Sequence, residues 1–296
     1  MKKPIFKGAA TALITPFRDG KVDKKAFAAI IEEQISAGIS ALVVCGTTGE
    51  AATMTDDEQI DTIDFAVRTA GGRVPIIAGA GSNNTAHAID LCKRSVAVGA
   101  DALLCVTPYY NKTSQAGLVQ MYAAIADSVD KPIILYNVPS RTGVNIEPKT
   151  YASLADHPNI YAIKEASGNF SKVAETVSLV GSKLAVYSGN DDQTVPIMSL
   201  GGLGVISVLS NVLPKQTSEM CRLCLDGRFD EGAALQLKYI PLINALFSDV
   251  NPIPAKEAMA MLGKCSPELR LPLVGMSDEK RAALREELKK VGLKTV

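Results

Sequence analysis

Lys164 and Glu165 stand side by side in the stretch YAIKEASG, directly after an apolar run that reads as a strand. Lysine is among the side chains least often buried, so a lysine at the tip of a core-bound strand needs a physical reason. It can be a solvated strand end, half of a structural ion pair, or a reactive amine. Other polar groups follow other apolar runs: GTTGE at Gly46–Glu50, TPYYNK with Tyr109 and Tyr110, YNVPSRTG with Tyr136 and Arg141, and SGND at Ser188–Asp191. The set holds an amine, phenols, hydroxyls and a guanidinium, with no metal-ligand cluster and no Ser–His or Cys–His pair. A lysine desolvated in a protein interior has its charged form disfavoured, which frees the amine to attack a ketone and form a Schiff base. Imine chemistry needs proton transfers, which a tyrosine such as Tyr136 can supply. Backbone N–H groups of GTTGE, with the Thr47 and Thr48 hydroxyls, suit a carboxylate at a helix start. A Lys164–Glu165 ion pair is the bland alternative, but adjacent strand residues point to opposite faces, which makes that pair awkward.

Those groups can meet only if the strand ends converge. The runs ATALITPF, ALVVCG, VPIIAGAG, DALLCVTP, KPIILYNV, NIYAIKEAS, LAVYSGND and LGVISVLS are continuously apolar, as expected of parallel strands covered on both faces. Amphipathic stretches separate them. DKKAFAAIIEEQISAG closes on Gly38, and TDDEQIDTIDFAVRTAGG offers Thr55 as an N-cap ahead of acidic residues. Eight βα units predict an α/β fold, a TIM (β/α)8 barrel, whose functional groups gather at the C-terminal strand ends. A doubly wound open sheet is the competitor, but no GxGxxG follows the first strand. Beyond Gly227 the pattern is helical without strands. The expected division is therefore a barrel over residues 1–229 and a C-terminal helical layer over 230–296.

The chain of 296 residues is 47% hydrophobic, enough for a full core. Lys+Arg and Asp+Glu each total 31, so no basic surplus points to nucleic acid or to a membrane surface. The opening MKKPIFKG lacks the apolar stretch of a signal peptide, and no long apolar run follows, so a cytoplasmic location is expected. Cys221 and Cys224 form a lone helical CxxC without the further ligands zinc requires, which reads as ordinary buried thiols. His87, on a helical stretch, and His157, in a loop, read as structural or surface residues.

Taken together, GTTGE, TPYYNK, YNVPSRTG and KEASGN occur in the order and spacing of a known family. The chain resembles, over nearly its whole length, the pyruvate-dependent class I aldolases of the dihydrodipicolinate synthase/N-acetylneuraminate lyase family. The resemblance implies that Lys164 forms a Schiff base with pyruvate, whose enamine adds to the aldehyde of L-aspartate-4-semialdehyde, with no cofactor and no metal. It implies that Tyr136 relays protons and that Thr48 links Tyr136 to Tyr110, which reaches into a neighbouring subunit's site. A homo-oligomer follows, a tetramer built as a dimer of dimers. Thr47 and Thr48 would bind the pyruvate carboxylate, Gly189 and Ile206 would supply backbone contacts, and Arg141 would receive the aldehyde's carboxylate. Arg141, and Thr rather than Ser at position 47, favour the synthase branch over the sugar-acid lyases. The same lysine chemistry with another aldehyde, or a silent barrel that only binds, are the other readings. Lysine-inhibited members carry an effector site at the dimer interface. Here Asn83 and Tyr109 match it, Asp56 and Gln59 stand where histidines are common, and His87 stands where an acid is common. Weak or absent lysine inhibition is therefore expected.

Overall fold

The computed structural model describes residues 2–296. Among them, the strands β1 (Gly8–Ala12), β2 (Ala41–Val44), β3 (Ile76–Gly79), β4 (Ala102–Val106), β5 (Ile133–Asn137), β6 (Ile160–Glu165), β7 (Ala185–Ser188) and β8 (Gly204–Ser207) form one closed parallel barrel. Each pairs with its chain neighbours, and β8 closes on β1 with Ala10 opposite Ile206. Every expected strand is present, and the doubly wound alternative is excluded by closure. The continuous apolar character of the runs has its cause here: one face fills the barrel and the other meets the helical ring. Ala10, Val43, Ile77, Leu104, Ile134, Ala162 and Ile206 belong to the interior set, while Leu42, Leu103, Ile133, Ile163 and Val205 pack outward on helices. At the N-terminal end, Phe6 stacks on Tyr187 with ring centres 4.1 Å apart, and the Tyr187 hydroxyl donates to the Phe6 carbonyl at 2.7 Å. That stopper makes the barrel a packed core open to ligands at one end only.

The helix signals hold at residue level. Thr55 caps Asp56–Ala70 by accepting from the Glu58 N–H at 3.2 Å, beside three acidic residues in the first turn. Lys24–Ser36 ends at Ala37 and Gly38, with Gly38 at φ 82° in the left-handed region that glycine adopts without steric cost. The expectation that GTTGE opens a helix fails. It folds into a tight turn, Glu50 takes φ 57°, and a short 3₁₀ turn, Ala51–Thr53, precedes the helix at Asp56.

The tail forms helices Phe229–Leu246, Ile253–Met261 and Asp278–Lys290. The first packs on Pro214–Leu225 and Thr194–Ser199, and the expected boundary at 229/230 lies within its first turn. The tail also reaches under the GTTGE turn. The Lys256 ammonium, fully buried, pairs with the Glu50 carboxylate, donates to the Glu268 carbonyl at 3.0 Å, and lies 4.1 Å from the Phe17 ring centre. Arg270 covers the same ring at 4.1 Å and binds Glu58 with both terminal nitrogens. Removing one member of a buried pair strands the other's charge, which typically costs about 3–5 kcal/mol. Lys256→Met should therefore lower the unfolding free energy by an amount of that order in urea titration. The double change Lys256→Met/Glu50→Gln should recover most of it; no recovery would mean that Lys256 acts through packing alone.

Candidate active site

Strand register brings the chemistry together. Tyr136 on β5 lies opposite Lys164 on β6, and Lys164 lies opposite Tyr187 on β7. Lys164 follows the interior residue Ala162 by two positions, so its side chain enters the barrel. It is 7% exposed, and its Nζ lies 4.3 Å from the centre of the Tyr136 ring. Burial lowers its pKa to about 8; the negative charge of Asp191 works against that shift and the positive charge of Arg141 adds to it. Burial likewise raises the Tyr136 phenol to about 12, opposed by the charge of Arg141 and by a hydrogen bond with Thr47.

Glu165 points the other way. Its carboxylate accepts from Asn137 Nδ2 at 3.1 and 3.2 Å, from the Tyr151 hydroxyl at 3.3 Å and from the Ser167 N–H at 2.7 Å. With those partners it is a structural anchor between β5, β6 and the helical ring, and the Lys164–Glu165 ion pair is ruled out. Gly189 approaches Lys164 instead. A Cβ on Gly189 would lie 3.2 Å from Lys164 Cε and 2.8 Å from Ala166 Cβ, so glycine leaves the lysine its room. Ile206 is buried on the interior face of β8.

The GTTGE turn supplies two kinds of donor. Its own hydrogen bonds use the N–H groups of Gly49, Glu50 and Ala51; those of Thr47 and Thr48 are uncommitted among the described residues. Thr47 is exposed toward a cleft of about 510 Å³ that is also lined by Tyr136 and Arg141. Thr48 is buried, and its hydroxyl accepts from Asn251 Nδ2 at 3.0 Å. The expected Thr48 link between Tyr136 and Tyr110 is thus not what a single chain displays: Thr47 neighbours the phenol and Thr48 faces the tail. Tyr110 is not gathered in at all. It is 93% exposed at φ 68°, on a loop tied down by Asn83 Nδ2 to the Tyr109 carbonyl at 3.2 Å and Asn111 Nδ2 to the Asn83 carbonyl at 2.9 Å. Arg141, also exposed, is steadied at the mouth by donating to the Asn251 carbonyl at 3.0 Å.

Sequence reasoning passed over Asp191 and Asn251. Asp191 is buried, accepting from the Val208 and Leu209 N–H groups at 2.9 Å each and from the Ser207 hydroxyl at 2.5 Å. Burial raises its pKa while those donors and Lys164 pull it down. SGND held the signal, since an aspartate closing an apolar run on a neighbouring strand was the available counter-charge. Asn251 had no comparable signal.

The outer part of the cleft carries the residues matched to the effector site. His87 Nε2 lies 3.0 Å from each Asp56 carboxylate oxygen, and His87 Nδ1 lies 3.1 Å from Ser82 Oγ. The acid missing at position 87 is present at position 56, but it is engaged by the histidine. His157 pairs with Asp127 on the surface at 3.0 Å. Cys221 and Cys224 are buried, and burial holds both thiols above their ordinary range, Cys224 at about 11. Among the described residues, no group of three or more His, Cys, Asp or Glu side chains is arranged to hold a metal ion.

Comparison with known proteins gives concordant matches. Residues 5–291 match the model of the dihydrodipicolinate synthetase family. The 4-hydroxy-tetrahydrodipicolinate synthase of Clostridium novyi is 50% identical over 284 residues, covering 96% of each chain. The crystal structure of the dihydrodipicolinate synthase of Acinetobacter baumannii, complexed with pyruvate, superposes with a TM-score of 0.95 at 42% identity, over 97% of this chain and 99% of that one. A dihydrodipicolinate synthase variant characterised as monomeric superposes with a TM-score of 0.96 at 43% identity, over 98% of each chain.

The lowered lysine can be read out directly. With a pKa near 8, about one amine in ten is neutral at pH 7, against about one in three thousand at the ordinary value. Reductive trapping of a small keto acid on Lys164 by cyanoborohydride, located by peptide mass, should rise about tenfold per pH unit below 8 and level off above it, after correction for any pH dependence of the reduction step. A rise continuing past pH 10 would show an unperturbed amine. In the same range the unfolded chain holds this proton while the folded chain releases it, so the contribution of Lys164 to stability increases from pH 8 toward 10.5.

Proposed function

This chain belongs to the dihydrodipicolinate synthetase family, and from that premise we propose that Lys164 is the amine that captures pyruvate as a Schiff base. The reaction is that of the 4-hydroxy-tetrahydrodipicolinate synthases: an aldolase-type lyase step joining pyruvate to L-aspartate-4-semialdehyde, on the route to diaminopimelate and lysine. The observation that carries the residue assignment is the buried Lys164 in register with Tyr136, its charged form penalised and its nearest carboxylate neighbour in sequence, Glu165, committed elsewhere.

The neutral amine adds to the pyruvate ketone, and loss of water gives the imine. Loss of a methyl proton gives the enamine, whose carbon attacks the aldehyde. The semialdehyde's own amino group then adds to the imine carbon and expels Lys164, closing the ring. Tyr136, raised to about 12, stays protonated between steps and passes protons without holding a charge. The uncommitted N–H groups and the hydroxyls of Thr47 and Thr48 hold the pyruvate carboxylate, with Gly189 and Ile206 providing close backbone contact. Arg141, free at the mouth except for one bond to a carbonyl, offers its planar fork to the second substrate's carboxylate. This favours a small carboxylated aldehyde over a neutral sugar, and a silent barrel has no use for an amine so placed.

Tyr110 enters this scheme only from a neighbouring copy, so a homo-oligomer, expected as a dimer of dimers, belongs to the proposal; sedimentation velocity tests it. No cofactor beyond the covalent pyruvate adduct is required. No helix among the described residues is long and apolar enough to cross a membrane, and we expect the enzyme to act in the cytoplasm. Lysine is expected to inhibit weakly, because Asp56 already serves His87; strong inhibition at low millimolar lysine would overturn that.

Pyruvate should be consumed with aspartate semialdehyde, not with N-acetylmannosamine, in the presence of a chelator, and Lys164→Ala should abolish turnover. Arg141→Ala should weaken kcat/KM for the semialdehyde by about ten- to a hundredfold, the usual worth of a charge-assisted contact, while pyruvate still traps on Lys164. Equal loss toward both substrates would place Arg141 in the fold rather than in substrate recognition.

A further inference from the structure

Asn251 lies between the tail helices Phe229–Leu246 and Ile253–Met261 and is 7% exposed. It touches both halves of the proposed site. Its Nδ2 donates to Thr48 Oγ1 at 3.0 Å, and its backbone carbonyl accepts from Arg141 Nη2 at 3.0 Å. Its Oδ1 is buried with no hydrogen-bond partner among the described residues. Turning the amide over does not cure this: Oδ1 would then face the Thr48 hydroxyl and Nδ2 would be stranded instead. A buried polar atom left unpartnered destabilises a fold, so packing alone does not account for an asparagine where a leucine offers the same branching and number of heavy atoms.

We propose that Asn251 is a positioning residue for pyruvate capture, acting through Thr48. By donating to Oγ1 it occupies the acceptor side of that hydroxyl and leaves the O–H to donate toward the pyruvate carboxylate. This rests on the carboxylate-binding role proposed for Thr48. The effect is confined to the pyruvate half of the reaction. Arg141 is held by the backbone oxygen of residue 251, which every substitution there retains.

The test compares Asn251→Leu with wild type in the full chain, alone and in a Thr48→Val background. The readouts are the rate of borohydride-trapped pyruvate imine at subsaturating pyruvate, KM for the semialdehyde, and Tm. Alone, the leucine should slow trapping by about tenfold, the worth of one hydrogen bond to a charged partner's donor, without lowering Tm and with KM for the semialdehyde changed by less than about twofold. In the Thr48→Val background it should change trapping by less than about twofold, since the pair acts as a unit. The same loss in both backgrounds, a matching rise in KM for the semialdehyde, or a lower Tm accompanying the loss would make Asn251 a packing residue and overturn the proposal. Asn251→Ala gives the same comparison should the leucine chain fail to fold. A wild-type chain that trapped no pyruvate would remove the Schiff-base reading itself, a failure distinct from trapping that is indifferent to residue 251.

Discussion

The desolvation of one ammonium governs the rest of the site. An amine in a closed barrel is useful only while it is neither fully solvated nor fully paired, because either condition keeps it protonated. Every neighbour of Lys164 respects that limit. Glu165, adjacent in sequence, is turned to the helical ring and used up by Asn137, Tyr151 and Ser167. Asp191 contributes its field but is fastened to Ser207 and two backbone N–H groups, so it moderates the amine without closing on it. Gly189 supplies proximity without bulk, and the Phe6–Tyr187 stack seals the far end of the barrel.

What was legible in the sequence followed from local physics. Eight continuously apolar runs specify strands covered on both faces, and a lysine at such a strand's tip is anomalous enough to be noticed. Thr55 and Gly38 were readable because capping depends on a few consecutive residues. GTTGE reads as a helix start because glycines and threonines are compatible with both a turn and a helix start, and one partner of the turn, Lys256, lies 206 positions away. Asn251 escaped for the same reason, since its contact to Thr48 spans 203 positions and nothing near either residue announces the other. Tyr110 shows a different limit. Its type and spacing mark it, yet its surroundings within one chain are solvent.

The tail is therefore more than an appended layer. It holds the GTTGE turn from beneath through Lys256 and Glu50, and it meets Thr48 and Arg141 at the mouth through Asn251. The barrel places the amine and the phenol by register alone. The turn that faces them, closed by its own hydrogen bonds and by one from Thr15, is held from the tail as well, through Glu50 and Thr48.

That division has a consequence for how the molecule comes into being during synthesis. A ribosome delivers β1 through β8 before it delivers residues 251–270, so Glu50 is synthesised long before its counter-ion Lys256, and Thr48 long before the amide of Asn251. The contacts that reach the turn from the tail are thus completed only in the last part of translation, and a chain interrupted before residue 251 would lack both of them.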